Sequence, residues 1–256
     1  MKKLVLACSA FLLILSACSS SSDSSSSSTD DDVLVSKTIE TYANDGSTIT
    51  TDYTYSGKKI VQETDDDGAY QKYTYTGNLI TKIEYFDFDD VLEQREIFSY
   101  NSSSQLVSYV RLDIFDDGGN RDAFVYNANG TVSCTSYYGD LDSQDELQGT
   151  SIIYFENNEV SKVEEFSDLG TLTGTRLYTY DTKKNPFKNV IGLDKIQFVE
   201  NEALGINHNI ISDNYTNFGM LTTYNTTYTY NENNFPITDV DSDGDPTNNI
   251  TTQYFY

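Results

Sequence analysis

The 256-residue sequence has no tryptophan, one histidine, three cysteines and three prolines, and 16 lysines and arginines stand against 40 aspartates and glutamates. Each shortage excludes something. His208, in "INHNI", has no Cys, Asp or Glu at ligand spacing, so it reads as a loop or core histidine and not as part of a metal centre. Cysteine is too scarce for a disulfide framework: Cys8 and Cys18 fall in the N-terminal segment, and Cys134 has neither a partner nor a paired base and reads as an inert thiol. The deficit of positive charge argues against nucleic acid, because phosphate binding needs the opposite sign. It also sets the chain against anionic lipid. Its plain physical use is solubility and resistance to sheet-edge association.

The apolar run in "MKKLVLACSAFLLILSAC" is too short to span a bilayer, and with Lys2 and Lys3 before it the segment has the order of a secretory signal. Leu15-Ser16-Ala17-Cys18 resembles the lipobox of bacterial lipoproteins, which implies cleavage after Ala17 and lipidation of Cys18. Val5-Leu6-Ala7-Cys8 is a poorer match, with a bulky leucine where that family has a small or β-branched residue. Residues 18–32 follow as a Ser/Asp-rich tether with no apolar side chain after the cysteine, and so no means of joining a core. Its root-mean-square reach is roughly 20 Å. Its acidic residues are similar to the surface-export signals of some Gram-negative lipoproteins. Loss of residues 1–17 leaves 14 basic against 40 acidic side chains, a net charge of −26. The expected location is the cell envelope, as an outer-membrane lipoprotein of either leaflet, touching the membrane through its lipid alone.

Residues 33–256 repeat. Tyr53-x-Tyr55, Tyr73-x-Tyr75, Phe98-x-Tyr100, Phe124-x-Tyr126, Ile153-x-Phe155, Tyr178-x-Tyr180, Tyr228-x-Tyr230 and Tyr254-x-Tyr256 share one form, and their second members are separated by 20, 25, 26, 29, 25, 50 and 26 residues. The step of 50 is two periods with one degenerate unit inside. Each pair precedes a short turn ("SGKK", "TGNL", "NANG", "NENN") and a second alternating run such as "LITKIEYF" or "VSKVEEF". Period-two alternation of Tyr, Thr, Val, Ile and Phe predicts strands, and the turns predict hairpins. Acidic, glycine-containing loops join one hairpin to the next. The expected fold is all-β: an antiparallel β-hairpin repeat sheet of about fifteen strands, period about 25 residues, twisted or curled because so wide a flat sheet would expose both faces.

The unit Tyr-x-Tyr-Asp/Asn-x-x-Gly-x-Leu/Val, best seen in "YTYDTKKNPF" from Tyr178 and "FVYNANGTV" from Phe124, resembles the YD repeat of the RHS family. Several copies lack the Asp or the glycine. In that family such repeats form a shell around a C-terminal toxin, whereas this chain ends on the strand "TTQYFY". The resemblance therefore implies architecture and no toxin activity.

Residues 185–220 interrupt the pattern. Asn185-Pro186 suits the cap and first turn of a short helix through Leu193, and the segment is expected to pack on the sheet. The tyrosine pairs fit structural ladders better than a sugar-stacking platform, since both members of a pair share one strand face. Asp239-x-Asp241-x-Asp243-Gly244-Asp245 has the spacing of half a calcium loop but Ile250 where the bidentate acid belongs, so calcium is weighed there against a solvated turn. No other cofactor is expected and no two of the acids are singled out for catalysis. The leading functional expectation is a non-catalytic envelope lipoprotein that presents an extended β-repeat surface to a protein or glycan ligand or serves structure. A glycan-binding accessory protein of an uptake system stands second and an undetected hydrolase third.

Overall fold

The structure, a computed structural model, describes residues 32–256; the signal segment, Cys18 and the tether up to Thr29-Asp30-Asp31 lie outside the described residues. Sixteen strands follow in order: β1 Lys37–Tyr42, β2 Thr48–Ser56, β3 Lys59–Asp65, β4 Tyr70–Thr76, β5 Leu79–Phe86 and β6 Leu92–Tyr100. Next come β7 Leu106–Asp113, β8 Gly118–Tyr126, β9 Val132–Gly139, β10 Glu146–Glu156 and β11 Glu159–Ser167. The last five are β12 Leu172–Tyr180, β13 Ile210–Asn217, β14 Met220–Tyr230, β15 Pro236–Ser242 and β16 Ile250–Phe255. Every neighbouring pair is antiparallel, and β1 pairs with β2 on one side and β16 on the other, so the sheet is a closed barrel.

Closure corrects the open, curled repeat sheet expected from the sequence, and with it the YD/RHS assignment. Sixteen twisted strands left open would expose two unpaired edges, and closing the ring removes both. The hairpins exist as read. What the repeat generates is a wall with an inside, not an extended surface.

The aromatic pairs face that inside. Thr54, Thr74, Ser99, Val125, Thr179 and Thr229, the middle residues of six pairs, are exposed on the outer wall, while their flanking aromatics are buried or half-buried. A bulge recurs beside most pairs: the register shifts between Thr54 and Tyr55, Thr74 and Tyr75, Ser99 and Tyr100, and Thr229 and Tyr230. The extra residue lies on the partner strand, so Ile60 and Glu63, Ile80 and Ile83, and Leu106 and Tyr109 all face inward although three positions apart.

The second tyrosine of a pair has a further task. Tyr55 donates to the carbonyl of Val35 at 2.7 Å, Tyr100 to Ile80 at 2.7 Å, Tyr180 to Val160 at 2.6 Å and Tyr256 to Pro236 at 2.8 Å. Each hydroxyl thus ties its residue to the main chain 20 residues earlier, which phenylalanine could not do.

Between β12 and β13, residues 181–209 leave the wall and close one end of the barrel. No α-helix runs from Pro186; the segment is built of turns with single 3-10 turns at Leu193–Lys195 and Val199–Asn201. Main-chain bonds fasten it to the rim, from Ile191 N–H to the Lys58 carbonyl (2.9 Å) and from Lys184 N–H to the Asn234 carbonyl (3.0 Å). Gly192, at φ +97°, sits so close to Asn78 and Ile80 that a β-carbon would lie 3.1 Å from both. Ile196 and Phe198 are buried against the wall, Phe198 meeting Phe124 and Phe155 edge-on at centroid distances of 5.2 and 5.8 Å. Near the segment's end, buried Glu159 accepts the N–H groups of Asn207 (3.1 Å) and His208 (2.8 Å), and the His208 ring lies 2.9 Å from its other oxygen.

The outer wall carries ion pairs. Lys82, Glu84 and Arg95 form an ion-pair cluster in the middle of β5 and β6 (2.6 and 3.0 Å), and Lys162 pairs with Glu164 on β11 (2.8 Å). A transmembrane barrel carries a lipid-facing apolar band about 25 Å tall. Here threonines and ion pairs are interspersed with single apolar residues such as Ile97, Val125 and Leu177, and they interrupt any such band.

Candidate functional site: an acid and tyrosine belt inside the barrel

Above the apolar floor the interior changes character, because inward positions in the upper half of β3, β6, β8, β11 and β15 carry carboxylates. Each is met by a hydroxyl, amide or guanidinium. Tyr73 donates to Glu63 at 2.5 Å and Gln71 to its second oxygen at 2.6 Å; Tyr85 and Gln94 both donate to Glu96, at 3.1 and 3.0 Å. Tyr215 reaches Glu165 (2.8 Å), Ser136 reaches Asp122 (2.6 Å) and Tyr254 reaches Asp239 (2.5 Å). The closing segment contributes from below: Glu200 accepts from Tyr109 (3.1 Å) and Arg111 (3.0 Å), and Glu202 pairs with Arg176.

On one side of this belt the wall stands away from the closing segment and leaves a cavity of about 480 Å³. Glu63, Glu96, Tyr73, Tyr85 and Tyr109 line its wall, and Leu193, Ile196 and Ile206 of the closing segment line its floor. A volume of that size suits a small molecule. Burial dominates the electrostatics. It lifts the Glu63 carboxyl to about 7 against the pull of its two donors, and raises Glu96 as well. Tyr73 and Tyr85 are pushed up by burial and then by the acids they touch, so their hydroxyls stay protonated and act as donors. The aromatic walls and poised carboxylates can hold a cation by charge and ring faces together.

The residues singled out from the sequence lie elsewhere. Cys18 is outside the described residues. Asp239 and Asp241 are on β15 opposite Thr252 and Ile250, whereas Asp243 and Asp245 are in the exposed turn that follows. Asp239 is 3 % exposed, one of its oxygens is held by Tyr254 and the other accepts no hydrogen bond; burial lifts its carboxyl to about 6. Asp243 accepts from Asp245 N–H (2.9 Å) and Asn248 (3.0 Å), and Asp245 caps the short 3-10 turn at Pro246–Asn248 through Thr247 N–H (3.0 Å). The structure therefore separates the four aspartates: Asp239 is buried, Asp241 is exposed on the same strand, and Asp243 and Asp245 are in the turn. Among the described residues, no group of three or more His, Cys, Asp or Glu is placed to hold a metal. Cys134 is buried on the inner wall, its thiol pushed well up by burial.

Glu63, Glu96 and Glu200 escaped the sequence reading for different reasons: Glu96 keeps the phase of inward Phe98 but nothing marks it out among 40 acids, and Glu200 lies in the closing segment, where no strand alternation assigns a face. Counting by twos from inward Ile60 puts Glu63 on the outer wall, and only the bulge brings it inside. The glycan platform fails with the extended surface: the tyrosine pairs it would have displayed face the interior.

No family model matches the chain, and no curated protein matches it. Among solved structures it is similar to a porin-like protein from Bacteroides vulgatus, at 12 % identity and TM-score 0.43, covering 88 % of this chain and 99 % of that one. It is also similar to a porin-like protein from Bacteroides uniformis, at 12 % identity and TM-score 0.47, covering 86 % of this chain and 97 % of that one.

Proposed function

We propose that the protein is a small-molecule-binding barrel of the cell envelope, tethered through a lipid on Cys18, whose ligand is a compact organic amine held in the cavity beside Glu63 and Glu96. The observation that carries this reading is the cavity itself, where buried Glu96, half-buried Glu63 and three tyrosine rings surround one space above an apolar floor. Binding an ammonium there would return Glu63 to its ionised form and supply the charge partner that it lacks. No turnover is assigned, because each of Glu63, Glu96 and Glu200 is engaged by donors of its own wall. A conducting pore is the competing reading. It is disfavoured by the charged outer wall, and by residues 181–209 filling one end.

The test uses the full chain with Cys18→Ala, which removes the acylation site. It is expected to move from the membrane fraction to the soluble envelope fraction, to stay soluble without detergent, and to give no conductance steps in planar bilayers. Calorimetry with choline, ethanolamine and putrescine should show binding of at least one amine at one site per chain, weakened tenfold or more by Glu63→Gln/Glu96→Gln. Conductance steps, or no binding of any of the three amines, would overturn the proposal.

A further inference from the structure

The rim opposite the closing segment carries a second, unassigned feature. Phe88, Phe115, Leu169 and Phe218 stand in four of the loops there, 69, 92, 87 and 78 % exposed, and Met220 beside them is 75 % exposed. All the large apolar side chains that are more than half exposed among the described residues belong to this rim except Val125. The turns of the other rim are built from Gly, Asn and Ser at the corresponding places, as in "TGN", "NSSSQ" and "NANG". Soluble surfaces seldom gather apolar side chains in this way without a partner.

Three of these loops carry aspartate, "DFDDV" around Phe88, "IFDD" around Phe115 and "DLGT" around Leu169, and none of the four carries lysine, arginine or histidine. Apolar anchors interleaved with charge of one sign have the composition of a protein interface, with aromatic contacts surrounded by polar groups. We infer that this rim docks a protein partner whose contact surface combines apolar pockets with lysine or arginine. A bilayer fits less well, because Asp87, Asp89 and Asp90 flank or adjoin Phe88 and would be carried to the lipid with it. A second copy fits less well too, since it would set one acidic rim against another. The orientation agrees. The chain enters the wall at the opposite rim, where Val35 is held by Tyr55 and the Val33 carbonyl by Asn189. Under the tether reading above, the apolar rim points away from the anchoring membrane. The amine cavity is not needed for this inference.

The experiment is photo-cross-linking in cells that produce the full chain, with p-benzoylphenylalanine at 115, 169 or 218 and, as control, at Asn129 on the other rim. A discrete adduct with one other protein is expected from the three rim positions, at least tenfold above the control. It should fall tenfold when Phe88→Ser and Met220→Ser are added. The cross-linked peptide of the partner should contain lysine or arginine beside apolar residues. Both serine substitutions are at exposed side chains, and an unchanged melting temperature would separate lost docking from lost folding. Equal labelling at both rims, no discrete adduct, an adduct only with a second copy, or a partner peptide without basic residues would overturn the inference. So would binding to phosphatidylethanolamine vesicles that the same substitutions abolish, which would assign the rim to a membrane.

Discussion

At the scale of single residues, the barrel interior keeps acids where water is scarce, and Glu63 makes the consequence measurable. Folding raises this carboxyl to about 7, above its unfolded value, so the folded chain retains a proton that the unfolded chain releases. The stability contributed by the group is therefore intact below the unfolded value and lost as pH rises through about 7. Glu63→Gln should remove this loss. Between pH 4.5 and 8 the parent should lose about 1–3 kcal/mol more than the variant, allowing for screening through the open side of the cavity. Urea melts at both pH values check this, and parallel curves for parent and variant would refute it. Asp239 shifts in the same direction, so the difference between the two proteins, not the slope of either, is the measure.

At the scale of elements, the tyrosine-to-carbonyl ties are what the repeat conserves in space. Tyr100→Phe and Tyr180→Phe should each cost about 0.5–1.5 kcal/mol, the usual worth of such a bond, seen as a lower denaturation midpoint at unchanged slope. Tyr75 is the internal control. Its unit is 20 residues from the preceding one instead of 25, and its buried hydroxyl has no hydrogen-bond partner. Tyr75→Phe should therefore be neutral or slightly stabilising, and a loss equal to that of Tyr100→Phe would contradict this account.

The hairpins could be read from the sequence because pairing across a short turn is a local matter: alternation, turn residues and length are all within about 25 residues. Closure could not, since whether β1 meets β16 depends on twist and tilt summed over sixteen strands. The bulges were hidden too, and they decide that Glu63 and Asp239 face inward. Asp239-x-Asp241-x-Asp243 illustrates the ambiguity. A carboxylate at every second position is the spacing of a calcium loop and equally that of one face of a strand, and the structure gives the strand to the first two residues and the turn to the third.

At the scale of the molecule, the closing segment joins elements that never pair with one another. Phe198 touches Phe124 of β8 and Phe155 of β10. Phe198→Ala should cost about 3–5 kcal/mol, as for a buried aromatic whose space cannot refill. The loss should appear as lower global stability in calorimetry and not as a separate early transition. A distinct low-temperature transition would show that the segment melts independently of the wall.

The β1–β16 seam has a consequence for how the chain reaches this state. Lys37 lies beside Phe255, and Tyr42 beside Ile250, so the strands farthest apart in sequence are neighbours in space. Contacts of such long sequence separation must be closed late and slowly, after a large loss of chain entropy. During synthesis β1 emerges first and waits through fourteen strands for its second neighbour, exposing one ribbon edge throughout. Until β16 arrives that edge is open to any other extended chain, and the strongly acidic composition keeps copies of the nascent protein apart while it waits.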